Sequence, residues 1–223
     1  MPYHFRYISK KDPRVRRAYE DLMLLLGEVR KELSDRYTFQ HKLVGSYSRN
    51  MITYDEKSNV GFDFDVNIYP NDPNDDEENF TPEEIKRLFK QALDRHVRSH
   101  GFDYAEDSTR VLTIKVKDRQ RSKIVNSIDF AFVHDYTDDE DRECQEYIHF
   151  NKKQNSYTWE EQGDGYYQLQ EKVEWIKDQH LWDSDLRPYY LLKKNLNTDP
   201  NLHSRTIFAN AVHEICQKNG YYE

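Results

Sequence analysis

The sequence predicts an α/β (α+β) fold in which helices flank a core sheet and a helical lobe follows at the C-terminal end. Two observations predict the sheet: residues 62–66 alternate apolar and acidic side chains, and residues 124–133 form a mostly apolar run that contains one acid. A third observation predicts the helices, because apolar residues recur at three- and four-residue intervals near both ends of the chain.

Three aspartates stand out in the predicted sheet. Successive side chains of a strand point to opposite faces, so Asp63 and Asp65 share one face, and Asp129 lies opposite the apolar face of its own strand. Taken singly, each acid is compatible with an exposed edge charge or a hydrogen-bonded structural acid. Three acids close together on one buried sheet repel each other, however. A divalent cation shared with substrate phosphates would offset this repulsion.

A short turn precedes the first two acids. Residues 39–44 alternate and end at Gly45 and Ser46, where glycine lets the backbone approach a ligand and serine adds a hydroxyl donor. A Gly-Ser pair by itself is usually a plain turn. Its position upstream of the acids makes it a candidate phosphate-binding turn.

In this order, Leu43-Val44-Gly45-Ser46, Phe62-Asp63-Phe64-Asp65-Val66 and Ile128-Asp129-Phe130 resemble the signature of the DNA polymerase beta-like nucleotidyltransferase superfamily. The resemblance covers residues 37–133 and extends to bacterial members, including antibiotic nucleotidyltransferases and relatives of the cyclic oligonucleotide synthases. It implies that Asp63, Asp65 and Asp129 bind Mg²⁺ or Mn²⁺ and are catalytic, with Asp129 helping to deprotonate the acceptor. It also implies that Gly45 and Ser46 contact the triphosphate.

The spacer between Ser46 and Asp63 is longer than in small members of that superfamily, and it could cover the nucleotide. It contains Arg49, which we expect to bind nucleotide. In the C-terminal half, Lys193 is expected to reach the triphosphate as a point charge.

Two domains are expected: residues 1–150 as a nucleotidyltransferase catalytic core, and residues 151–223 as a helical lobe covering the active-site cleft. A helix is predicted from Pro13, and another from Thr81-Pro82, with Gly101 closing it. Residues 111–116 and 124–133 are predicted to form a hairpin that delivers Asp129. The acidic stretch 71–79 is expected to be a solvated loop.

Composition limits the functional classes. The chain has 223 residues, a net charge of −8, two isolated cysteines and no apolar leader or membrane span, which predicts a cytoplasmic protein without a disulfide framework or structural zinc. The basic hairpin between Lys115 and Lys123 is too local to predict extended nucleic-acid binding in an acidic chain.

The function expected from these features is transfer of a nucleoside monophosphate from a nucleoside triphosphate to an acceptor, with release of pyrophosphate. The acceptor stays open among a small molecule, a protein, another nucleotide and an RNA end. The alternative is a non-catalytic module of the same fold that binds nucleotide or a partner protein. The three acids favour the enzyme, since a binding module has no need to keep them together.

Overall fold

The computed structural model describes residues 3–71, 80–199 and 201–221. The chain divides into two compact units. The larger comprises Ile8–Ile52 and Asn59–Glu161, and the smaller comprises the residues up to Tyr7, Thr53–Ser58 and the chain from Gln162 onward. The predicted acidic loop, apart from Asn71, lies outside the described residues.

The larger unit is built on a mixed sheet. The strands of the chain are β1 (Arg6–Tyr7), β2 (Thr38–Val44), β3 (Thr53–Tyr54), β4 (Phe62–Asn71), β5 (Glu106–Asp107), β6 (Val111–Asp118), β7 (Lys123–Thr137), β8 (Glu143–Asn151) and β9 (Ser156–Glu161). The central strands follow the order β2-β4-β7-β6-β5, with β4 and β7 parallel and the other neighbours antiparallel. The last part of β7 pairs with β8, which pairs with β9.

The helices among the described residues are α1 (Pro13–Leu33), α2 (Gly45–Ser48), α3 (Pro82–His96), α4 (Asp164–Asp178), α5 (Arg187–Leu196) and α6 (Ser204–Lys218). Two of these described helices, α1 and α3, begin at a side-chain cap supplied by Asp12 and Thr81. The predicted capping box of α3 is present, since Thr81 Oγ1 accepts from Glu84 N and the Glu84 carboxylate accepts from Thr81 N. A 3₁₀ turn, Val97–His100, follows α3 and ends at Gly101 with φ +78°.

One face of the sheet is apolar and carries α3. Phe89 of that helix is fully buried, and its ring lies 5.3 Å from Phe39, 5.6 Å from Phe130 and 5.1 Å from Phe132, measured between ring centroids. Aromatic edge-to-face packing of this kind is favourable beyond the area that it buries. The apolar face therefore fixes the alternation that turns the acids of β4 and β7 to the opposite face.

A buried lysine ties α3 to the far end of the sheet. The Lys86 ammonium is fully buried, lies 2.7 Å from Asp107 Oδ1 and donates to the Ser108 carbonyl at 3.0 Å. Tyr157 donates to the other oxygen of Asp107 at 2.8 Å, and its ring stacks on Phe150. Burial lowers the pKa of Lys86, and the bond to Asp107 opposes that shift.

The smaller unit combines helices α4, α5 and α6 with the β1–β3 pair. A π turn, Trp182–Leu186, leads into α5. Asn195 of α5 bonds both backbone groups of Phe5, accepting from its N–H at 2.6 Å and donating to its carbonyl at 3.1 Å. Lys194 donates to Thr53 Oγ1 at 2.6 Å, so the N-terminal residues and part of the spacer belong to this unit.

The division of the chain differs from the expected boundary between residues 150 and 151. The region 151–161 continues the sheet, because β9 pairs with β8 along its whole length. The smaller unit is also discontinuous in sequence, since it recruits β1 and β3. The strands β8 and β9 were not among the predicted elements. Within the described residues, no helix combines the length and apolar character needed to cross a membrane.

Candidate active site

A polar row crosses the second face of the sheet. Asp65 on β4 is the direct partner of Asp129 on β7, Asp129 is the partner of Thr113 on β6, and Thr113 is the partner of Glu106 on β5. Paired residues on neighbouring strands place their side chains on the same face, with the strands about 4.8 Å apart. Asp63 lies two residues before Asp65 on the same face. The structure therefore brings the three predicted aspartates onto adjacent strands.

Asp129 is half-buried at the centre of this row. Thr113 donates a hydrogen bond from Oγ1 to Asp129 Oδ1 at 2.5 Å. Burial raises the pKa of Asp129; the bond from Thr113 lowers it, the carboxylate of Asp63 raises it, and Lys115 lowers it. The negative charge of Asp129 is thus held in a partly desolvated place beside a second acid.

Gly45 fits directly against Asp65. Its φ is +62°, and a Cβ added at this position would lie 1.8 Å from Asp65 Oδ2 and 2.8 Å from Cγ. Glycine is therefore required here for two reasons: the backbone is left-handed, and the Asp65 carboxylate occupies the space that a Cβ would take. The register explains the proximity, because Val44, the preceding residue, is the partner of Asp65.

The turn that follows is a single helical turn, α2. Ser46 lies in it, its carbonyl accepts from Met51 N at 2.8 Å, and its side chain is half-buried. Arg49 caps the turn through its N–H, which donates to the Gly45 carbonyl at 3.3 Å. The Tyr47 ring anchors the turn by stacking on Tyr19 at 5.6 Å. Gly45, Ser46 and Arg49 are therefore in one turn beside the acids.

Lys193 belongs to the smaller unit. Its ammonium donates to Glu214 Oε1 at 2.6 Å, and this bond raises the pKa of Lys193. Glu214 also accepts from the Tyr189 hydroxyl. The lysine thus has a carboxylate partner within its own unit.

The donor set suits a hard divalent cation. All three side chains are carboxylates. Burial of Asp129 and repulsion from Asp63 both disfavour its negative charge, and a bound cation would offset that cost. In the part of the chain that the structure describes, no three or more His, Cys, Asp or Glu side chains cluster closely enough to hold a metal ion by themselves. Mg²⁺ rarely uses such an all-protein cage; it binds one or two carboxylates together with substrate phosphates and water. The residues therefore fit Mg²⁺ in that mode.

The polar neighbours of the acids on this face were missing from the predicted set, among them Thr113 and Ser127. Thr113 bonds Asp129, and Ser127 is the partner of both Asp63 and Lys115. The alternation of β6 could have identified Thr113, because Leu112 and Ile114 are fully buried and Thr113 between them must point to the other face of the sheet. That alternation places Thr113 and Lys115 on the face of the acids once the hairpin register is known.

No protein-family model matches the sequence, and no curated protein matches it. Solved structures do match in fold. The CdnE cyclic dinucleotide synthase of Elizabethkingia meningoseptica, solved with GTP and Apcpp, is 15% identical with a TM-score of 0.52, over 93% of this chain and 71% of that one.

Two further enzymes are similar to the same degree. The Vibrio cholerae dinucleotide cyclase DncV, solved with GTP and 5MTHFGLU2, is 14% identical with a TM-score of 0.56, over 92% of this chain and 56% of that one. The CdnE c-UMP-AMP synthase of Rhodothermus marinus, solved with Apcpp and Upnpp, is 11% identical with a TM-score of 0.53, over 92% of this chain and 72% of that one. The chain thus spans little more than half of the Vibrio enzyme.

These likenesses confirm the fold predicted from the sequence, a mixed sheet flanked by helices. The chain therefore shares the fold of these cyclic dinucleotide synthases.

Proposed function

We propose that this chain is a nucleotidyltransferase that requires Mg²⁺ or Mn²⁺ and moves a nucleoside monophosphate from a nucleoside triphosphate to an acceptor, releasing pyrophosphate. The observation that carries the proposal is the direct pairing of Asp65 with Asp129 across parallel strands, with Gly45 packed against the Asp65 carboxylate. A structural acid pair has no need of a glycine turn pressed against it. A triphosphate held between the turn and the acids needs both.

The carboxylates have distinct roles in this proposal. Asp63, Asp65 and Asp129 would hold the metal, which supplies neutralisation of the phosphate charge when it is bound. Asp129 takes the proton of the acceptor hydroxyl while the hydroxyl oxygen bonds to the α-phosphorus and the bond from that phosphorus to pyrophosphate breaks. Thr113 positions Asp129 through its hydrogen bond at 2.5 Å.

The remaining predicted residues bind the triphosphate. Gly45 leaves room for close approach of the phosphates, and Ser46 and Arg49 on the same turn supply a hydroxyl and a positive charge. Lys193 is proposed as a further phosphate contact, which requires its ammonium to exchange Glu214 for the triphosphate. The positive charge of a lysine is compact and mobile enough for such an exchange.

A nucleotide is the first acceptor to test. Structures of similar fold come from enzymes named as dinucleotide cyclases and synthases, solved with GTP or analogues of nucleoside triphosphates. The other acceptors expected from the sequence, a small molecule, a protein and an RNA end, form the rest of the screen.

The test is incubation with each α-³²P-labelled triphosphate and Mg²⁺, singly and in pairs, followed by thin-layer chromatography and a pyrophosphate assay. Changing Asp63, Asp65 or Asp129 to Asn is expected to reduce product formation by at least about 100-fold, the scale of losing one electrostatic group of an active site. Asp35→Asn is the matched control, because Asp35 is an exposed aspartate of the same unit. Equal rates for Asp129→Asn and the parent would refute the assignment.

The alternative, a non-catalytic module of the same fold, predicts a different pair of results. Triphosphate and Mn²⁺ would bind, as measured by calorimetry and electron paramagnetic resonance, but no acceptor in the screen would release pyrophosphate. Loss of Mn²⁺ binding in Asp63→Asn together with unchanged background hydrolysis would favour the module over the enzyme.

A further inference from the structure

A cavity of about 390 Å³ lies on the helical side of the larger unit. Its walls come from the end of α1, the turn that follows it and the exposed side of α3. The buried side of α3 packs on the apolar face of the sheet, whereas Asp63, Asp65 and Asp129 project from the opposite face. The cavity is therefore separate from the candidate active site.

Both glutamates that line the cavity are already engaged. Glu84 accepts from the Thr81 backbone at 3.0 Å and from the Thr81 hydroxyl at 2.8 Å, and these bonds hold its pKa below the ordinary value. Glu32 pairs with Arg95 and lies 2.8 Å from His96 Nε2. The negative charges of the lining are thus committed to the helix cap and to the contact between α1 and α3.

Two arginines supply the remaining charge. Arg36 and Arg87 both line the cavity and both are exposed. With Arg95, the lining has three guanidinium groups and two carboxylates, in a chain whose net charge is −8. A planar guanidinium recognises phosphate oxygens through two parallel hydrogen bonds, so a positive cavity of this kind is suited to a phosphate.

The rest of the wall is apolar. Leu33 and Leu88 lie in the lining, and the Phe80 ring is half-buried with its centroid 5.7 Å from that of Tyr37. A ring held in this way offers a face on which a flat ligand can stack. The volume falls within the roughly 300–1,000 Å³ that is usual for small-molecule sites.

We propose that this cavity is a second ligand site, which binds a small phosphate monoester with a flat ring, such as a nucleoside monophosphate. The phosphate lies between Arg36 and Arg87, and the ring lies against Phe80. A phosphate monoester carries about −1.5 to −2 charges at pH 7, which matches two guanidinium groups better than the single charge of a carboxylate. The site does not depend on the proposed function, because none of the three aspartates lines it.

The test is calorimetric titration of the full chain with AMP in EDTA, with adenosine, inorganic phosphate and adenosine-5′-carboxylic acid as comparison ligands. AMP is expected to bind at least about tenfold more tightly than each of the three, a difference of about 1.4 kcal/mol. The paired change Arg36→Gln with Arg87→Gln is expected to weaken AMP binding at least tenfold and to reduce its salt dependence. Phe80→Ala is expected to weaken AMP and leave inorganic phosphate unchanged.

Two controls make the result specific. Arg16→Gln removes an exposed arginine of α1 that lies 3.7 Å from Glu20 and outside the cavity, so it is expected to bind AMP like the parent. The paired change Asp63→Asn with Asp65→Asn is expected to keep AMP binding even when turnover is lost. The proposal is overturned if AMP shows no saturable binding, if Arg16→Gln weakens it as much as the cavity variants, or if the aspartate variant abolishes it.

Discussion

Replacing Gly45 by alanine tests how closely the turn and the acids are fitted. The new Cβ would lie 1.8 Å from Asp65 Oδ2, where real contacts are longer than 3.0 Å, so the carboxylate or the turn must shift by roughly 1 Å or more. Misplacement of a reacting group by about 1 Å can cost about 100-fold in rate. We therefore expect Gly45→Ala to lower nucleotidyl transfer by about 100-fold and to weaken Mn²⁺ binding measured by electron paramagnetic resonance.

Gly45→Ala is expected to lower the free energy of unfolding only moderately. Alanine in a left-handed conformation costs roughly 1–2 kcal/mol. For a chain of this size, that corresponds to a fall in melting temperature of about 2–8 °C. Most of the protein should remain folded at 25 °C, so the loss of rate reports on the site.

Gly101→Ala is the matched control for backbone strain. Gly101 also has a positive φ, +78°, but a Cβ there meets nothing within 4 Å. Gly101→Ala should lose only the stability that the left-handed backbone costs, Gly45→Ala should lose at least as much, and only Gly45→Ala should also lose turnover and metal affinity. Equal activities in the two variants would show that nucleotidyl transfer does not depend on the position of the Asp65 carboxylate set by Gly45. The prediction would then be wrong.

Further predictions concern single contacts. Lys86→Met is expected to cost about 3 kcal/mol in urea unfolding, the lower end for breaking a buried ion pair, because it leaves the Asp107 carboxylate, whose side chain is only 19% exposed, without its cation. Lys90→Met, which removes a half-exposed pair on the same helix, should cost less than about 1 kcal/mol, and equal losses would contradict the reasoning. Thr113→Val is expected to lower kcat by about 10- to 100-fold, because it removes a hydrogen bond to Asp129 that is worth about 1.5–3 kcal/mol. Thr113→Ser, which keeps the hydroxyl, should have a kcat close to that of the parent. A parental kcat in Thr113→Val would exclude a role for the hydrogen bond. Gly61→Ala places a Cβ 2.1 Å from a backbone oxygen of β7 and should cost about 1–3 kcal/mol in the same unfolding assay; a parental midpoint would argue against the close approach of the strands.

The parts of the fold that follow from local patterns were predictable. The N-terminal signals at Pro13 and Thr81 predicted α1 and α3 at their observed first turns. The alternation around Asp63 and Asp65 predicted which side chains are buried, and Phe62, Phe64 and Val66 are at most 2% exposed. These features depend on residues close together in sequence, so one sequence is enough to predict them.

The parts that depend on distant pairing were not predictable in the same way. Strand β8 contains the buried polar residue Gln145, which is acceptable there because its amide donates to Asp135 Oδ1 of β7 at 2.7 Å. From the sequence alone, the run of polar residues around it is typical of a loop. The pairing of Asp65 with Asp129 likewise depends on the register of β4 and β7, which are separated in sequence by α3, β5 and β6. The sequence indicated that the acids could meet, but only the register defines which two are direct partners.

The long spacer before Asp63 has a structural role that its composition conceals. Its residues Thr53–Ser58 belong to the smaller unit, where Asp55 accepts from His4 N at 2.9 Å and from Lys57 N at 2.8 Å. The chain therefore leaves the larger unit after Ile52, shortly after the glycine turn. It completes the β1–β3 pair in the smaller unit and re-enters the larger unit at Asn59, just before β4. A spacer of the usual short length could not make this excursion. The extra residues are thus explained by assembly of the smaller unit, which accounts for the departure from the superfamily pattern without requiring a lid over the nucleotide.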